Sequence, residues 1–354
     1  TSVGNTPSFI QSADVVIVEV NTSQPMELVG MHDIYIPLDP PDRLPIPITK
    51  AGDRIGTHFI PCPLDKIKYV VPSDITDKTR PLAPLDAASK RMGELTVQFL
   101  SKEIEEGRMP KGLLPLQSGV GNVANAVIAG FVNSDFTDLE VYTEVIQDGM
   151  FDLADAGKLK AASGTAFSPS PEGLQRFYKD IEKYKKIMML RPQEISNNPE
   201  VVRRLGVIAM NTAIEVDIYG NVNSTHIMGT KMMNGIGGSG DFARNAYITI
   251  FFTTSEAKGG KISSIVPFCS HIDHGCHDVD VIITEQGVAD LRGKCPRERA
   301  LEIINNCAHP DYRPLLLDYY NRALEATKGA QTPHLLDEAL SFHQRFVKTG
   351  TMQK

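Results

Sequence analysis

The sequence predicts an α/β fold with a largely parallel sheet, and its length of 354 residues favours two such domains. After residue 112, short apolar runs alternate with stretches of helical periodicity, which is typical of βαβ units. A Gly-Asn turn within 216–227 interrupts this alternation and predicts a hairpin. The predicted strands are 113–117, 138–143, 186–191, 206–216, 246–253 and 279–284. The predicted helices lie near 122–131, 171–184, 198–205, 296–306 and 334–347.

The N-terminal part is organised differently. Residues 14–20 and 66–71 are rich in Val and Ile and are bounded by polar turns, which indicates strands. The stretch 72–86 contains three prolines and scattered charge, so we interpret it as a linker. A helix is predicted over 87–106, where apolar residues recur at close to helical spacing. We therefore place a domain boundary inside the linker, near residue 82.

Composition disfavours two classes of partner. The net charge is −7 and there is no long basic run, so nucleic acid and anionic membranes are poor partners. The longest apolar stretches, such as 247–252 and 279–284, are too short to cross a bilayer, and the first residues do not resemble an export signal. The five widely spaced cysteines predict reduced intracellular thiols, either in the cytoplasm or, in a eukaryote, in the mitochondrial matrix.

A glycine turn between a strand and a helix is the first candidate site. In the segment 113–127, Gly119 and Gly121 allow the backbone to approach a ligand, and the N–H groups that follow point toward it. Such a turn suits a phosphate or a developing oxyanion. The structural alternative is that glycine serves only the tightness of the turn.

Glu144 is the second candidate. The predicted strand 138–143 ends just before it, and in open α/β sheets ligands gather at that end of the strands. A carboxylate there can be a covalent nucleophile if donors await the oxyanion of the attacked carbonyl. The alternative is that Glu144 caps the next helix or forms a salt bridge.

A second glycine-rich loop is the third candidate. Residues 234–246 contain four glycines in close succession, a density that folding alone explains poorly because glycine loses the most entropy on ordering. Gly237 or Gly238 is predicted to supply an oxyanion donor or an anion-binding nest. Downstream, Lys258 and Lys261 flank two more glycines and suit a diphosphate, although a solvated β-turn explains them equally.

Residues 270–280 concentrate histidine, aspartate and cysteine. Three histidines, two carboxylates and a thiol within nine positions raise the possibility of a zinc site. Their spacing matches neither a zinc finger nor the helical H-E-x-x-H pattern. We therefore favour a structural polar network here and predict no metal.

Several of these motifs together resemble the acetyl-CoA hydrolase/transferase family, in particular its succinyl-CoA:acetate CoA-transferase branch. The resemblance runs through nearly the whole chain. The matching stretches are SGVGNVANAV (118–127), TEVIQDG (143–149), NGIGGSGDFARNA (234–246), KGGKISSIVP (258–267) and TEQGVADLRG (284–293).

The resemblance implies two similar open α/β domains with the active site between them, in a homodimer. Residues 1–81 would be the remainder of a truncated N-terminal domain, because family members carry an additional N-terminal segment, and 82–354 would be the C-terminal domain. The catalytic roles it implies are a nucleophile at Glu144, oxyanion-hole N–H groups at Val120 and Gly238, and orienting polar groups at Asn197 and Glu285. The implied CoA-binding residues are Gly119, Gly121, Asn122, Gly237 and Lys258.

The activity implied is CoA transfer between an acyl-CoA and a small carboxylate, with succinate and acetate suggested by the branch. Glu144 would form an acyl-glutamyl anhydride and then a glutamyl-CoA thioester, with no cofactor beyond CoA as substrate. Two alternatives stay open at this point: hydrolysis of acetyl-CoA by the same residues, and a non-catalytic acyl-CoA-binding protein.

Overall fold

A computed structural model describes residues 2–82, 84–119 and 121–354. The helices are α1 Thr6–Ser12, α2 Ala87–Glu105, α3 Asn122–Val132, α4 Asp148–Asp155, α5 Pro171–Lys179, α6 Ile181–Lys185, α7 Gln193–Ser196, α8 Pro199–Leu205, α9 Ser239–Ala243, α10 Pro296–Cys307, α11 Arg313–Ala326 and α12 Ser341–Thr349. The strands are β1 Val16–Asn21, β2 Ile67–Ser73, β3 Leu116–Ser118, β4 Leu139–Tyr142, β5 Val145–Ile146, β6 Leu159–Gly164, β7 Ala166–Phe167, β8 Met188–Leu190, β9 Ile208–Thr212, β10 Glu215–Asp217, β11 Val222–Asn223, β12 His226–Ile227, β13 Lys231–Met232, β14 Ile248–Phe252, β15 Glu256–Ala257, β16 Ile262–Ser263, β17 Ile265–Val266, β18 Val281–Thr284 and β19 Gly287–Asp290.

An eight-stranded sheet forms the centre of the fold, in the order β19-β18-β14-β9-β3-β4-β6-β8. Its strands pair in parallel except β19, which is antiparallel to β18. Strands buried on both faces read as continuous apolar runs, as in the wholly buried β14. The predicted α/β class with a largely parallel sheet is therefore confirmed.

The chain reverses direction across the middle of this sheet. From β3 it proceeds through β4 and β6 to the β8 edge, and it then returns to place β9 on the other side of β3. In open α/β sheets, ligands bind outside the carboxyl ends of the strands at such a reversal. The fold thus points to the carboxyl ends of β3 and β9 as the place for a site.

Sequence patterns located most elements but misjudged some. The predicted strand 206–216 is two strands in different sheets, because β9 ends at Thr212 and β10 starts a separate three-stranded sheet with β11 and β17. The hairpin expected within 216–227 is present, with Val216 opposite Val222. The helix predicted over 334–347 begins only at Ser341.

Residues before the proposed boundary at 82 share the core of the large sheet. The chain runs beside β8, where His32 forms a parallel bridge to Leu190. The buried Arg191 then binds the carboxylate of Asp33. The position of the boundary stays a prediction.

The pair β1 and β2 stands apart as a two-stranded parallel sheet. It leaves large apolar side chains in solvent, among them Ile17, Tyr69 and Val70 with 61%, 64% and 62% of their surface exposed. Parallel sheets are ordinarily covered on both faces. This exposed pair is therefore a surface suited to contact with further protein.

Glu103 of α2 is a buried carboxylate that joins α2 to the end of β19. Its oxygens accept hydrogen bonds from Arg292 at 2.8 Å and from Arg108 at 2.5 and 2.9 Å. The Arg292 guanidinium holds the pKa of Glu103 down to about 2, against the opposing effect of burial.

We expect Glu103→Gln to lower the free energy of unfolding by about 2 kcal/mol at pH 7, because the charge-assisted bonds are lost. A folded-state pKa below the ordinary value makes this contribution complete above about pH 4.5 and removes it as the pH falls toward 2. Urea unfolding at pH 7 and pH 3 tests this. A difference between the two proteins that does not shrink at pH 3 would contradict the assignment. The exposed Glu105→Gln serves as the control.

Candidate active site

A cavity of about 440 Å³ lies where the sheet reverses. The carboxyl ends of β3 and β9 contribute Gln117, Ser118 and Thr212, and Glu144 enters from the end of β4. The glycine-rich loop 233–239 covers the other side. The cavity size is that of a small-molecule site, and its position fits the rule for open α/β sheets.

Glu144 is fixed through its own backbone. Its carbonyl oxygen accepts hydrogen bonds from the N–H groups of Thr165, at 2.8 Å, and Ala166, at 3.3 Å. The helix that follows has Gln147 rather than Glu144 as its N-cap residue, and no ion pair among the described residues includes Glu144. The capping and salt-bridge alternatives for this carboxylate therefore find no support.

The Gly238 N–H donates a hydrogen bond to Oε2 of Glu144 over 2.7 Å. The contact is so close that a Cβ at position 238 would lie 2.2 Å from this oxygen and 2.2 Å from Nδ2 of Asn197. The φ of Gly238 is −81°, which any residue adopts, so glycine is required here for space. Gly237 has a φ of +55° and lines the same cavity.

Asn197 is a buried amide beside this contact. Its Oδ1 accepts from the Ser196 hydroxyl at 2.8 Å, and its Nδ2 donates to Asp241 at 3.3 Å. These two bonds hold the amide with its nitrogen toward Gly238. The orienting role of Asn197 stays a prediction, and Ser196 and Asp241, which sequence reasoning missed, are the residues that hold its amide.

The glycine turn after β3 is held from the side of α4. Gln147 donates from Nε2 to the Gly119 carbonyl at 2.8 Å, and its Oε1 accepts the Gly121 N–H at 3.3 Å. Gly121 has a φ of +118°, a conformation that favours glycine. Val120, predicted to donate to an oxyanion, lies outside the described residues, as does the side chain of Asn122. Gln147 was missed because only the fold brings it to this turn.

A second cavity, of about 540 Å³, lies on the other side of this turn. It is lined by Gly121 and Gln147, by Phe167 and by the exposed cations Lys78 and Arg80. Asp77 also lines this cavity, so an anionic ligand reaching the turn from this side would meet two cations and one carboxylate.

Glu285 and Lys258 make their contacts with other residues than Glu144. Glu285 accepts bonds from the backbone and hydroxyl of Ser255, and these outweigh burial so that its pKa stays below the usual range. Lys258 occupies a turn between β15 and β16 with a φ of +52°, and its Nζ lies 5.1 Å from the centre of the Phe346 ring. Neither side chain is among the described residues lining the first cavity. Their predicted roles stay predictions.

The histidine-rich segment forms hydrogen bonds within the protein. Asp273 accepts from Thr225 and from the Ser224 N–H, and it lies 3.2 Å from His271. His274 is buried beside Ser239. Across the described ranges, no group of three His, Cys, Asp or Glu side chains is arranged to hold a metal.

The described helices include none that is long and apolar enough to cross a bilayer.

The fold of this chain is similar to that of solved α/β proteins, among them a CoA-transferase. RipA from Yersinia pestis has a TM-score of 0.68 at 24% identity, over 93% of this chain and 67% of its own. The 4-hydroxybutyrate CoA-transferase from Porphyromonas gingivalis has a TM-score of 0.63 at 23% identity, over 91% of this chain and 70% of its own. At these identities the likeness establishes the fold.

Sequence comparison gives the family. Residues 173–320 match the acetyl-CoA hydrolase/transferase C-terminal domain. The chain is 59% identical over its full length to a succinyl-CoA:acetate CoA-transferase of Clostridium kluyveri, of which it spans 65%. It is 48% identical to an acetyl-CoA hydrolase of Candida glabrata over 99% of this chain and 68% of that protein. The chain belongs to the acetyl-CoA hydrolase/transferase family.

Proposed function

We propose that the protein transfers CoA between an acyl-CoA and a small carboxylic acid, with Glu144 as the covalent nucleophile. The observation that carries this is the 2.7 Å hydrogen bond from the Gly238 N–H to the Glu144 carboxylate, inside a cavity at the sheet reversal. In a binding protein such a donor would only satisfy the carboxylate. In an enzyme that places negative charge on that oxygen, it would also stabilise the developing charge.

The reaction divides into balanced steps. A carboxylate oxygen of Glu144 attacks the thioester carbonyl, the C–S bond breaks, and CoA leaves as the thiolate with an acyl-glutamyl anhydride formed. The thiolate then attacks the glutamyl carbonyl, which gives glutamyl-CoA and releases the carboxylate of the first acid. A second carboxylate reverses both steps. No proton or redox equivalent is gained or lost.

Gly238 suits the oxyanion that forms on Glu144 itself. Its N–H already contacts Oε2, so it faces the oxygen that gains charge when the thiolate adds to the glutamyl carbonyl. The oxyanion of the substrate carbonyl needs a separate donor, and we assign this to the backbone N–H of Val120, as the family resemblance implies. Two oxyanions on two different carbonyls thus call for two loops.

The two cavities suit the two halves of the substrates. The acyl group and acceptor carboxylate would meet Glu144 in the first cavity, and Lys78 and Arg80 of the second offer cations to an anionic group. We retain Gly119, Gly121, Asn122, Gly237 and Lys258 as CoA-binding residues, with no cofactor beyond CoA. Succinyl-CoA and acetate are the first substrates to test, because the Clostridium kluyveri relative is named for them.

Hydrolysis of acetyl-CoA is the second candidate, because relatives at 46–48% identity bear that name. Water attacking the anhydride or glutamyl-CoA would use the same residues. We favour transfer because the relative at 59% identity is named a transferase. We further propose a homodimer, for which the exposed apolar β1–β2 pair is a suitable contact surface, in the cytoplasm or mitochondrial matrix.

Product analysis separates the candidates. The protein is incubated with succinyl-CoA, with and without acetate, and the CoA species are separated chromatographically. Acetyl-CoA formed only with acetate, and little free CoA, supports transfer. Free CoA released at a rate independent of acetate indicates a hydrolase, and saturable CoA binding without turnover indicates a binding protein.

A further inference from the structure

His274 is a buried imidazole that the proposed reaction does not use directly. Its side chain is fully buried, and its ring lies 4.8 Å from that of Phe251, measured between centroids. Nε2 lies 3.2 Å from the Ser239 hydroxyl oxygen, whereas Nδ1 has no hydrogen-bond partner among the described residues. Burial lowers the pKa of His274 to about 4, so the ring is neutral at neutral pH.

The direction of the hydrogen bonds follows from the proton count. The Ser239 hydroxyl has one proton, and it lies 2.9 Å from the Ile236 carbonyl, which can only accept. If Ser239 donates to Ile236, then His274 must donate from Nε2 and carries a bare Nδ1. The opposite assignment would leave an N–H buried without an acceptor at Nδ1, which costs about 1–3 kcal/mol. The two hydrogen bonds therefore form a chain, which we call the relay: His274 Nε2–H donates to the Ser239 hydroxyl, and this hydroxyl donates to the Ile236 carbonyl.

Two residues of this relay, Ile236 and Ser239, belong to the loop that carries the Gly238 N–H. Ile236 and Ser239 flank Gly238, so their mutual bond sets the curvature of the loop around it. His274 is itself fixed, because its backbone N–H and carbonyl both pair with Val222 of β11, at 3.1 and 2.9 Å. His274 thus links the Ser239 end of the loop to β11, whereas the other end is held by the bonds from the Met233 N–H to the Thr225 carbonyl, at 2.8 Å, and from Asn234 Nδ2 to the Ser224 carbonyl, at 3.1 Å.

We propose that His274 is a positioning residue, which donates through Ser239 to hold the Gly238 N–H on the Glu144 carboxylate. This inference rests on the proposed function for its catalytic consequence. A loop released from His274 would let the donor move away from the developing oxyanion. Misplacement of a catalytic group by about 1 Å can cost up to 100-fold, so a fall in kcat of roughly 10- to 100-fold is expected.

Three variants test the role. His274→Leu removes the donor but keeps an apolar side chain, and His274→Gln restores an N–H near the position of Nε2. Ser239→Ala breaks the same relay one step further along. His277→Leu is the matched control, because His277 lies in the same segment with an exposed side chain.

The first readout is hydrogen–deuterium exchange of peptides covering 234–242, which needs no activity. Faster exchange confined to this loop in His274→Leu and Ser239→Ala, and near-parent exchange in His274→Gln and His277→Leu, is expected. The second is kcat per active site, which should fall in the same two variants while the KM for the carboxylic acid stays within about twofold. Combining the two substitutions should cost no more than either alone.

The outcomes separate the two claims. Unchanged exchange of the loop in His274→Leu overturns the inference, as does an equal loss of kcat in His274→Gln and His274→Leu. Faster hydrogen–deuterium exchange throughout the chain of His274→Leu would mean that His274 only stabilises the fold, and this result also overturns the inference. A parent protein without turnover refutes the proposed function, while the exchange data still decide whether His274 fastens the loop.

Discussion

Replacing Glu144 with Gln is expected to reduce CoA transfer at least about 10³-fold while leaving the fold intact. The amide has the shape of the carboxylate and can still accept the Gly238 N–H, so the loop contact survives. It cannot attack the thioester as an anion, and no anhydride or glutamyl-CoA can form. Initial rates with succinyl-CoA and acetate, together with thermal unfolding, test this expectation.

Glu140→Gln is the matched control for this substitution. Glu140 lies on β4, the strand that precedes Glu144, and pairs with Lys160 at 2.8 Å. Its substitution should leave the rate within about twofold. A Glu144→Gln protein that is folded and retains more than a tenth of the parent rate would show that Glu144 is not the nucleophile.

Gly238→Ala should have the second largest effect, a loss of about 10²–10³-fold in kcat. The added Cβ would lie 2.2 Å from Oε2 of Glu144 and from Nδ2 of Asn197, well inside van der Waals contact. The backbone angle tolerates alanine, so the strain falls on the nucleophile and its orienting amide. We expect the melting temperature to change little, because the atoms nearest the added Cβ belong to the ends of two side chains and not to the backbone.

Gly240→Ala distinguishes this close contact from a general loss of loop flexibility. Gly240 is two positions away, and a Cβ there meets nothing nearer than the end of the Ile236 side chain at 3.7 Å. Its kcat should stay close to that of the parent. Similar losses in both variants would mean that this segment needs glycine for a reason other than the approach to Glu144.

The location of the site could be predicted from local sequence, because strand ends and glycine turns are local signals. Glu144 follows a strand of alternating apolar residues, and the structure places it at the carboxyl end of β4. Gly238 stands in a run of glycines whose density folding alone explains poorly. The roles of Asn197 and Glu285 rested on family resemblance, because nothing in their neighbourhoods distinguishes them from other polar residues.

Supporting residues could not be found in this way. The hydrogen bonds of Gln147 to Gly121 and Gly119 join residues that are 26 and 28 positions apart in the sequence. The contact between His274 and Ser239 joins residues that are 35 positions apart. Such contacts depend on how strands are ordered, which periodicity does not reveal. The sequence predicts a polar network in the histidine segment, but the contact of His274 with Ser239 depends on how β11 and α9 pack, which local sequence does not reveal.

The sequence patterns do not predict the strand β6 or the helix α11. The strand β6 is built largely of Ala, Ser and Gly, which carry little strand signal, yet it pairs with both β4 and β8. Tertiary pairing overrides its low propensity. The helix α11 is absent from the sequence predictions. Its buried residues do recur at helical spacing: Leu316, Tyr319, Tyr320 and Ala323.

Mass spectrometry after mixing the protein with acetyl-CoA, without an acceptor acid, tests the central claim most directly. We predict a covalent CoA adduct that maps to Glu144, disappears on addition of acetate and is absent from Glu144→Gln. Turnover of the parent protein with CoA bound but never attached to Glu144 would contradict the account.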